Sequence, residues 1–119
     1  PRTALRGCNL KLIQAVVPPE SIHRVQDELN RVEVFRLTVS DVTAVVGDSA
    51  PGMTKGMTWG QAPAARLEIA VNESFVRPTL DALHRALKDD DDEATGTIYV
   101  LPLKDVIRIR TGERGPEAV

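Results

Sequence analysis

Residues 10–32 read LKLIQAVVPPESIHRVQDELNRV, a strand pattern followed at once by a helix pattern. The run Leu10–Val17 is short, apolar and rich in Val, Leu and Ile, which is typical of a strand. Pro18 and Pro19 end it and stand where a helix start tolerates proline, because the first N–H groups of a helix have no partner there. Apolar residues then recur at spacings of three, four and three, the stripe of an amphipathic helix: Ile22, Val25, Leu29 and Val32.

A second strand and a long loop are predicted next. Up to residue 39 the apolar residues of an alternating pattern stand at odd positions, and from residue 42 onward they stand at even positions. This change of phase predicts a bulge near Asp41. Residues 47–64 follow without periodicity and with several glycines and prolines, and loops of that length are often functional. The apolar positions of the alternating strand pattern before the change of phase are Phe35, Leu37 and Val39.

The second half of the chain repeats this order. Residues 66–71 alternate again and predict a strand, and a further strand is predicted at 97–101. Between them we expect a helix capped by Asn72 or Ser74, with Pro78 in its first turn, where proline is tolerated. The expected core positions are Leu67, Ile69 and Val71 on the strand and Val76, Leu80, Leu83 and Leu87 on the helix.

The order β-α-β-β-α-β, followed by a last strand over Val106–Arg110, is the ferredoxin-like arrangement of the α+β class. We therefore predict a βαββαβ sandwich with an extra C-terminal strand over residues 10–113, an N-terminal extension at 1–9 and a C-terminal tail at 114–119. Both helices would cover one face of the sheet. The other face would be aliphatic and open, which favours a homo-oligomer.

The composition excludes several classes of protein. The chain has 119 residues, 15 Lys and Arg against 17 Asp and Glu, and a net charge of −2, without the basic excess of a nucleic-acid binder. Asp89–Glu93 hold five of the negative charges, so the rest of the chain sums to +3. The single cysteine, Cys8, cannot form an internal disulfide or a paired-cysteine zinc site. Since no apolar run has the length of a membrane span and no signal peptide is recognised, we expect a cytoplasmic protein with no direct membrane insertion.

Two arginines carry the most specific chemistry in the chain. On a strand, Arg108 and Arg110 would project from one face about 7 Å apart, and two planar guanidiniums favour a phosphate. The alternative is an edge strand protected by its charges. We expect no enzyme, because no nucleophile, metal-protease or Walker motif occurs. His23 and His84 are interpreted as surface or helix-packing residues, and the acidic run as a solvated turn or, alternatively, a divalent-cation site.

The segment Val106–Glu113, VIRIRTGE, resembles the C-terminal signature of the PII signal-transduction family. Lys11–Ala15, Thr38–Val42 and Arg66–Ile69 resemble the first three strands of the family in the same order. The resemblance covers about residues 10–113. It implies a homotrimer that binds adenine nucleotides between subunits and regulates transporters, metabolic enzymes or transcription regulators through a long loop.

The resemblance also implies a ligand site. Arg108 and Arg110 match the arginines that contact the nucleotide phosphates. In the phosphate-side loop, residues 89–97, acids and Thr97 stand where the family has small residues and a lysine, so ADP, AMP or a cyclic nucleotide is favoured over ATP. The other implied nucleotide-binding residues are Thr38 and Glu68 on the adenosine side, Gly96 of the phosphate-side loop, and Val16 and Ala70 in the apolar walls.

The long loop differs from that of the family. Lys55, Gly56 and Thr58 resemble the family's Lys-Gly-x-Thr, and with Trp59 they are the implied partner contacts, although Trp59 could equally pack at the loop base. The single tyrosine, Tyr99, lies outside the loop, so the family's nucleotidylation is not expected. One alignment sets Gly52 and Thr54 at a family glycine and the metal-binding glutamine; an ungapped one sets Ala44 and Val46 at the family glycines. Neither matches that glutamine, which leaves magnesium open.

Two hypotheses of different classes follow. The first is a regulatory trimer that senses an adenine nucleotide and needs no cofactor. The second is a trimeric sensor of a metal or a small anion such as bicarbonate on the same scaffold, without nucleotide binding. A third hypothesis is an interaction module that binds no ligand.

Overall fold

A computed structural model of the chain describes residues 9–48, 58–89 and 95–119. Its elements are β1 Leu10–Val17, α1 Ile22–Arg31, β2 Thr38–Asp48, β3 Thr58–Asn72, α2 Glu73–Leu87 and β4 Thr97–Leu103. The four strands form one antiparallel sheet with the order β2-β3-β1-β4. The element order β1-α1-β2-β3-α2-β4 confirms the ferredoxin-like α+β prediction.

The first strand and helix form as their sequence predicts. Pro19–Ser21 make a single 3-10 turn that leads directly into α1, with proline at its start. The Ser21 side chain is buried and donates from Oγ to the carbonyl of Pro18 at 2.7 Å, which satisfies this polar group inside the fold.

The core lies between one face of the sheet and the two helices, and it is almost entirely aliphatic. The partners Ile13 and Ile69 are both buried, and so are Ala15 and Leu67, which confirms the inward positions predicted for β3. Across the helices, Arg85 Nε lies 3.1 Å from Glu28 Oε1. The buried helix residues that complete this core are Val25, Leu29, Ala82, Leu83, Ala86 and Leu87.

Two details of α2 differ from the sequence prediction. Asn72 occupies the N-cap position, but its side chain makes no capping hydrogen bond. Because the helix already begins at Glu73, Pro78 is its sixth residue and lies beyond the first turn, so that placement was wrong. The proline therefore removes an N–H that would otherwise bond within the helix.

β2 and β3 form a longer hairpin than the sequence predicts. Their register runs without interruption from Thr38 opposite Glu68 to Asp48 opposite Thr58, so the bulge predicted near Asp41 is wrong. The strand also begins at Thr38 rather than Phe35, which is exposed. The change of phase has another cause. β1 pairs with β3 only over residues 65–72, so the part of the hairpin that contains residues 58–64 of β3 extends away from the core. This part of the hairpin partly buries the opposite face.

The predicted loop at 47–64 is shorter at both ends. Gly47 and Asp48 belong to β2, and residues 58–64 belong to β3. Pro63 lies where β3 has a single neighbouring strand, a sheet edge at which proline is tolerated. Lys55 and Gly56 lie outside the described residues.

The C-terminal segment does not form the predicted strand over Val106–Arg110. Its one β-bridge joins Ile107 to Arg114, and Gly112 turns the chain between them with φ 75°. The stretch expected as a polar tail contains a 3-10 helix, Gly115–Ala118, in which both end residues are buried. Among the helices that the structure describes, none has the length and apolarity needed to cross a membrane.

Candidate functional site

Three of the predicted ligand residues meet on the face of the sheet that the helices leave open. Thr38 and Glu68 are direct partners in the β2–β3 register. On the other side of β3, Gln14 is the partner of Glu68 and donates from Nε2 to its Oε2 at 3.1 Å. Ala70 stands two residues further along β3 on the same face, since alternate strand residues share a face.

Val16 and Gly96 lie beside this group. Val16 is half-buried on β1, and its carbonyl accepts the amide of Gly96 at 2.9 Å. Gly96 has φ 90°, a left-handed conformation that a residue with a Cβ adopts only under strain. The bond fixes the start of β4 against β1. It also means that the Gly96 amide already has a partner within the chain.

Arg108 lies on a tight hairpin formed by residues 105–115, the C-terminal hairpin. Its amide donates to the carbonyl of Glu113 at 2.8 Å, and its carbonyl accepts the amide of Gly112 at 2.7 Å. At the base, Arg114 donates to the carboxylate of Asp105 from Nε at 2.9 Å and from Nη2. The Arg114 hydrogen bond lowers the pKa of Asp105 below its ordinary value of 3.8.

The guanidinium of Arg108 is half-buried and incompletely paired. Nη2 donates to the carbonyl of Ala118 at 3.4 Å, and Nη1 lies 4.0 Å from the carboxylate of Glu113. Nε is buried and has no hydrogen-bond partner among the described residues. A buried cationic donor without a partner favours an anionic ligand, because an unmet hydrogen bond costs more than a formed one gains.

Arg110 does not share a face of a strand with Arg108. It stands in the turn of the hairpin and is exposed. The prediction that the two arginines project from one face of a strand is therefore wrong, although both belong to the C-terminal hairpin.

A cavity of about 220 Å³ opens beside Arg108. Two aromatic rings and two guanidiniums border it, which suits a ligand with a flat apolar part and an anionic part. It brings Ala70 and Arg108 together. The lining residues are Glu33, Val34, Phe35, Arg36, Ala70, Val71, Asn72, Phe75, Arg108 and Val119.

Of the predicted loop contacts, the structure describes two. Thr58 and Trp59 are the first residues of β3, opposite Asp48 and Gly47. The Trp59 side chain is 61% exposed, at the end of the hairpin that projects from the sheet.

Of the metal ligands considered from the sequence, the structure describes the two histidines and the start of the acidic run. His23, His84 and Asp89 are exposed. No group of three His, Cys, Asp or Glu side chains arranged for a metal occurs in the part of the chain that the structure describes. The residues of the run after Asp89 lie outside that part.

Sequence reasoning missed the aromatic and ionic neighbours of the arginines. Phe35 was interpreted as an inward strand residue, whereas it borders the cavity with 73% of its surface exposed. The Asp105–Arg114 pair was missed because residues 106–110 were interpreted as a strand. The Thr111–Gly112 dipeptide is the signal that could have predicted the turn.

Comparison with known proteins gives a consistent result. The family model described as "Nitrogen regulatory protein P-II" matches residues 10–113. The chain is 39% identical over 114 residues to nitrogen regulatory protein GlnK1 of Methanosarcina mazei, covering 92% of this chain and 97% of that relative. Among solved structures, the B. subtilis GlnK–ATP complex superposes with TM-score 0.81 at 26% identity, over 95% of this chain and 97% of the other. Arabidopsis thaliana PII bound to citrate superposes with TM-score 0.74 at 29% identity, over 94% of each chain.

Proposed function

Since this chain belongs to the nitrogen regulatory protein P-II family, whose members are signal-transduction regulators, we propose that it senses an adenine nucleotide and regulates a partner protein. In this proposal the nucleotide lies in a cleft between subunits. The protein acts by binding rather than by catalysis, as expected for a family of regulatory proteins.

One observation carries the proposal: Arg108 borders a cavity and has a buried Nε without a partner among the described residues. Phosphate is an anion that a planar guanidinium binds well, through parallel hydrogen bonds. The same cavity contains Phe35 and Phe75, which offer apolar surface to a base. The GlnK relative from B. subtilis was solved as an ATP complex, which supports a nucleotide of this class.

The size of the cavity supports a site shared by subunits. Small-molecule sites usually measure roughly 300–1,000 Å³, so 220 Å³ within one chain is less than a nucleotide needs. The open sheet face carries exposed Tyr99 and Leu101, apolar surface that a second copy would cover. A trimer is consistent with the family, and we propose that a neighbouring subunit completes the cleft.

We propose ADP, AMP or a cyclic nucleotide as the effector rather than ATP. Two unit charges about 4 Å apart near a protein surface interact by about 4 kcal/mol, so each added phosphate charge near acidic residues is costly. Five acids, Asp89–Glu93, precede Gly96 in the sequence, and Thr97 follows where the family has a lysine.

Regulation would pass through the segment at 47–64. Trp59 offers a large exposed ring at the end of the β2–β3 hairpin, a residue type enriched where proteins bind one another. A nucleotide controls such a segment when it binds its two states with different affinity. The proposed partner is a transporter or a metabolic enzyme, as the family suggests.

A second candidate function is a sensor of a small anion on the same scaffold. The Arabidopsis thaliana relative was solved with citrate, a small polycarboxylate, and Arg108 would suit such an anion as well as a phosphate.

Isothermal titration separates the two candidates. ADP, AMP, cyclic AMP, ATP, citrate, bicarbonate and Mg²⁺ are titrated in turn into the full chain, and size-exclusion light scattering gives its assembly state. The proposal predicts binding of ADP or AMP more tightly than of ATP. Binding of citrate or bicarbonate alone would overturn it in favour of the anion sensor.

A further inference from the structure

The C-terminal hairpin is closed at its base by an ion pair in which every acceptor oxygen is used. Arg114 donates to Oδ2 of Asp105 from Nε at 2.9 Å and also from Nη2. The other oxygen, Oδ1, accepts the amide of Val106 at 2.8 Å. Three donors therefore hold this carboxylate, and they come from both sides of the hairpin.

This pair differs from an ordinary surface ion pair. Isolated surface pairs contribute little, because water screens the charges and two side chains lose entropy. Arg77 and Asp81 are of that kind: they lie 3.6 Å apart, with both side chains more than half exposed. The Arg114 side chain is 67% exposed and that of Asp105 28%, but the carboxylate accepts two guanidinium N–H groups on Oδ2 and a backbone amide on Oδ1, whereas Arg77 and Asp81 share a single contact.

The backbone bonds next to the pair fix Arg108. Ile107 and Arg114 form the single β-bridge of the hairpin. One residue further toward the turn, both backbone groups of Arg108 are bonded, its amide to Glu113 and its carbonyl to Gly112. A second ladder bond runs from the Gly115 amide to the carbonyl of Val106 at 2.9 Å. Opening the hairpin at its base would release these bonds in sequence, and the position of Arg108 with them.

We infer that Asp105 and Arg114 are positioning residues for ligand binding: their pair closes the hairpin and so holds Arg108, and the turn that carries Arg110, in place for the ligand's phosphate. This inference rests on the proposed function. Asp105 and Arg114 themselves do not bind the ligand, because the charge of each is already used by the other.

The test compares Asp105→Asn, Arg114→Ala and Arg114→Lys with the parent and with Asp81→Asn, which makes the same chemical change in an ordinary ion pair. The ADP dissociation constant is measured by titration calorimetry, and amide hydrogen exchange is followed at Arg108 and Gly112. Asp105→Asn and Arg114→Ala should each weaken ADP binding about ten-fold, the loss expected from one weakened charge-assisted contact. Arg114→Lys keeps the charge without the fork and should recover part of that loss. Asp81→Asn should bind as the parent does.

Each outcome decides the inference. Equal ADP affinity in Asp105→Asn and Asp81→Asn would overturn it. An Arg114→Lys variant that binds ADP as weakly as Arg114→Ala would also overturn it, because a lysine keeps the positive charge opposite Asp105 and should still close the hairpin in part. If the parent itself binds no ADP, the proposed function fails, and so does the inference that the pair supports ADP binding. Hydrogen exchange then decides whether the pair closes the hairpin: faster exchange at Arg108 and Gly112 in Asp105→Asn, and not in Asp81→Asn, is the result expected of a closing pair.

Discussion

The side chain of Gln14 donates a hydrogen bond to the carboxylate of Glu68 at 3.1 Å, which joins β1 to β3 on the open face of the sheet. Both side chains are half-buried. The bond orients Glu68 beside Thr38, its partner on β2, in the region where the family resemblance implies contact with an adenosine.

Glu68→Ala should therefore reduce both stability and ligand binding. Removing the acceptor leaves a half-buried amide of Gln14 without its partner, and we expect a loss of about 1 kcal/mol in the free energy of unfolding. Urea denaturation measures that loss, and titration with ADP measures the affinity. Glu73→Ala is the matched control, because Glu73 is an exposed carboxylate that lies 4.0 Å from Lys11. An ADP affinity that falls equally in both variants would contradict a specific role for Glu68.

Gly96→Ala tests the left-handed turn before β4. With φ 90°, an alanine at this position is strained, and we expect a loss of roughly 1–3 kcal/mol in stability. Gly60→Ala is the control: its added Cβ would meet nothing closer than the Val46 carbonyl at 4.0 Å. Thermal unfolding of the two variants gives the comparison. If Gly96→Ala unfolds at the parent's midpoint, the turn does not need glycine.

The Asp105–Arg114 pair predicts a dependence on acid. The hydrogen bond from Arg114 lowers the pKa of Asp105 in the folded chain below the ordinary 3.8. A lowered pKa stabilises the fold above the unfolded-state pKa, and this contribution is lost as the pH falls through the folded-state value. Parent and Asp105→Asn should therefore differ in stability at neutral pH, and the difference should begin to shrink as the pH falls below about 4, the unfolded-state pKa of a carboxyl group. A difference that stays constant from pH 7 to pH 3 would refute the assignment.

The open face predicts an assembly that one charge can disrupt. Leu101 is 40% exposed and is the β4 partner of Leu12 on this face. Leu101→Arg should shift the protein to a smaller species in size-exclusion light scattering, since a buried unpaired charge opposes association. Val45→Arg places the same charge at a 49% exposed valine on the β2–β3 hairpin and should leave the assembly intact. The same mass for both variants would argue against this face as the contact.

Sequence periodicity predicted the fold wherever the two faces of a strand have different surroundings. On β3, one face packs on the helices and the other does not, so the inward positions Leu67, Ile69 and Val71 could be assigned correctly. The part of the β2–β3 hairpin that contains residues 58–64 could not be assigned in this way. It extends away from the helices, so its alternation of apolar and polar residues does not indicate which face meets the core. Gly60 and Pro63 further obscured the start of β3.

The candidate site was harder to predict for a similar reason. Arg108 was found from its residue type and neighbours, but its geometry depends on a turn at Gly112 that a strand pattern conceals. Phe35 and Phe75 come from different segments and meet only at the cavity. Contacts of this kind follow from the tertiary fold and leave no local pattern in the sequence.

The most direct measurement of the central claim is the thermal stabilisation of the protein by ADP. At a ligand concentration 100 times the dissociation constant, binding stabilises the folded state by about 2.7 kcal/mol, a rise of several degrees in the unfolding midpoint. The parent should show this rise, and so should Arg77→Ala, which removes an exposed arginine of α2 outside the site. Arg108→Ala should fold and show no rise. An Arg108→Ala variant that ADP stabilises as much as the parent would contradict the account.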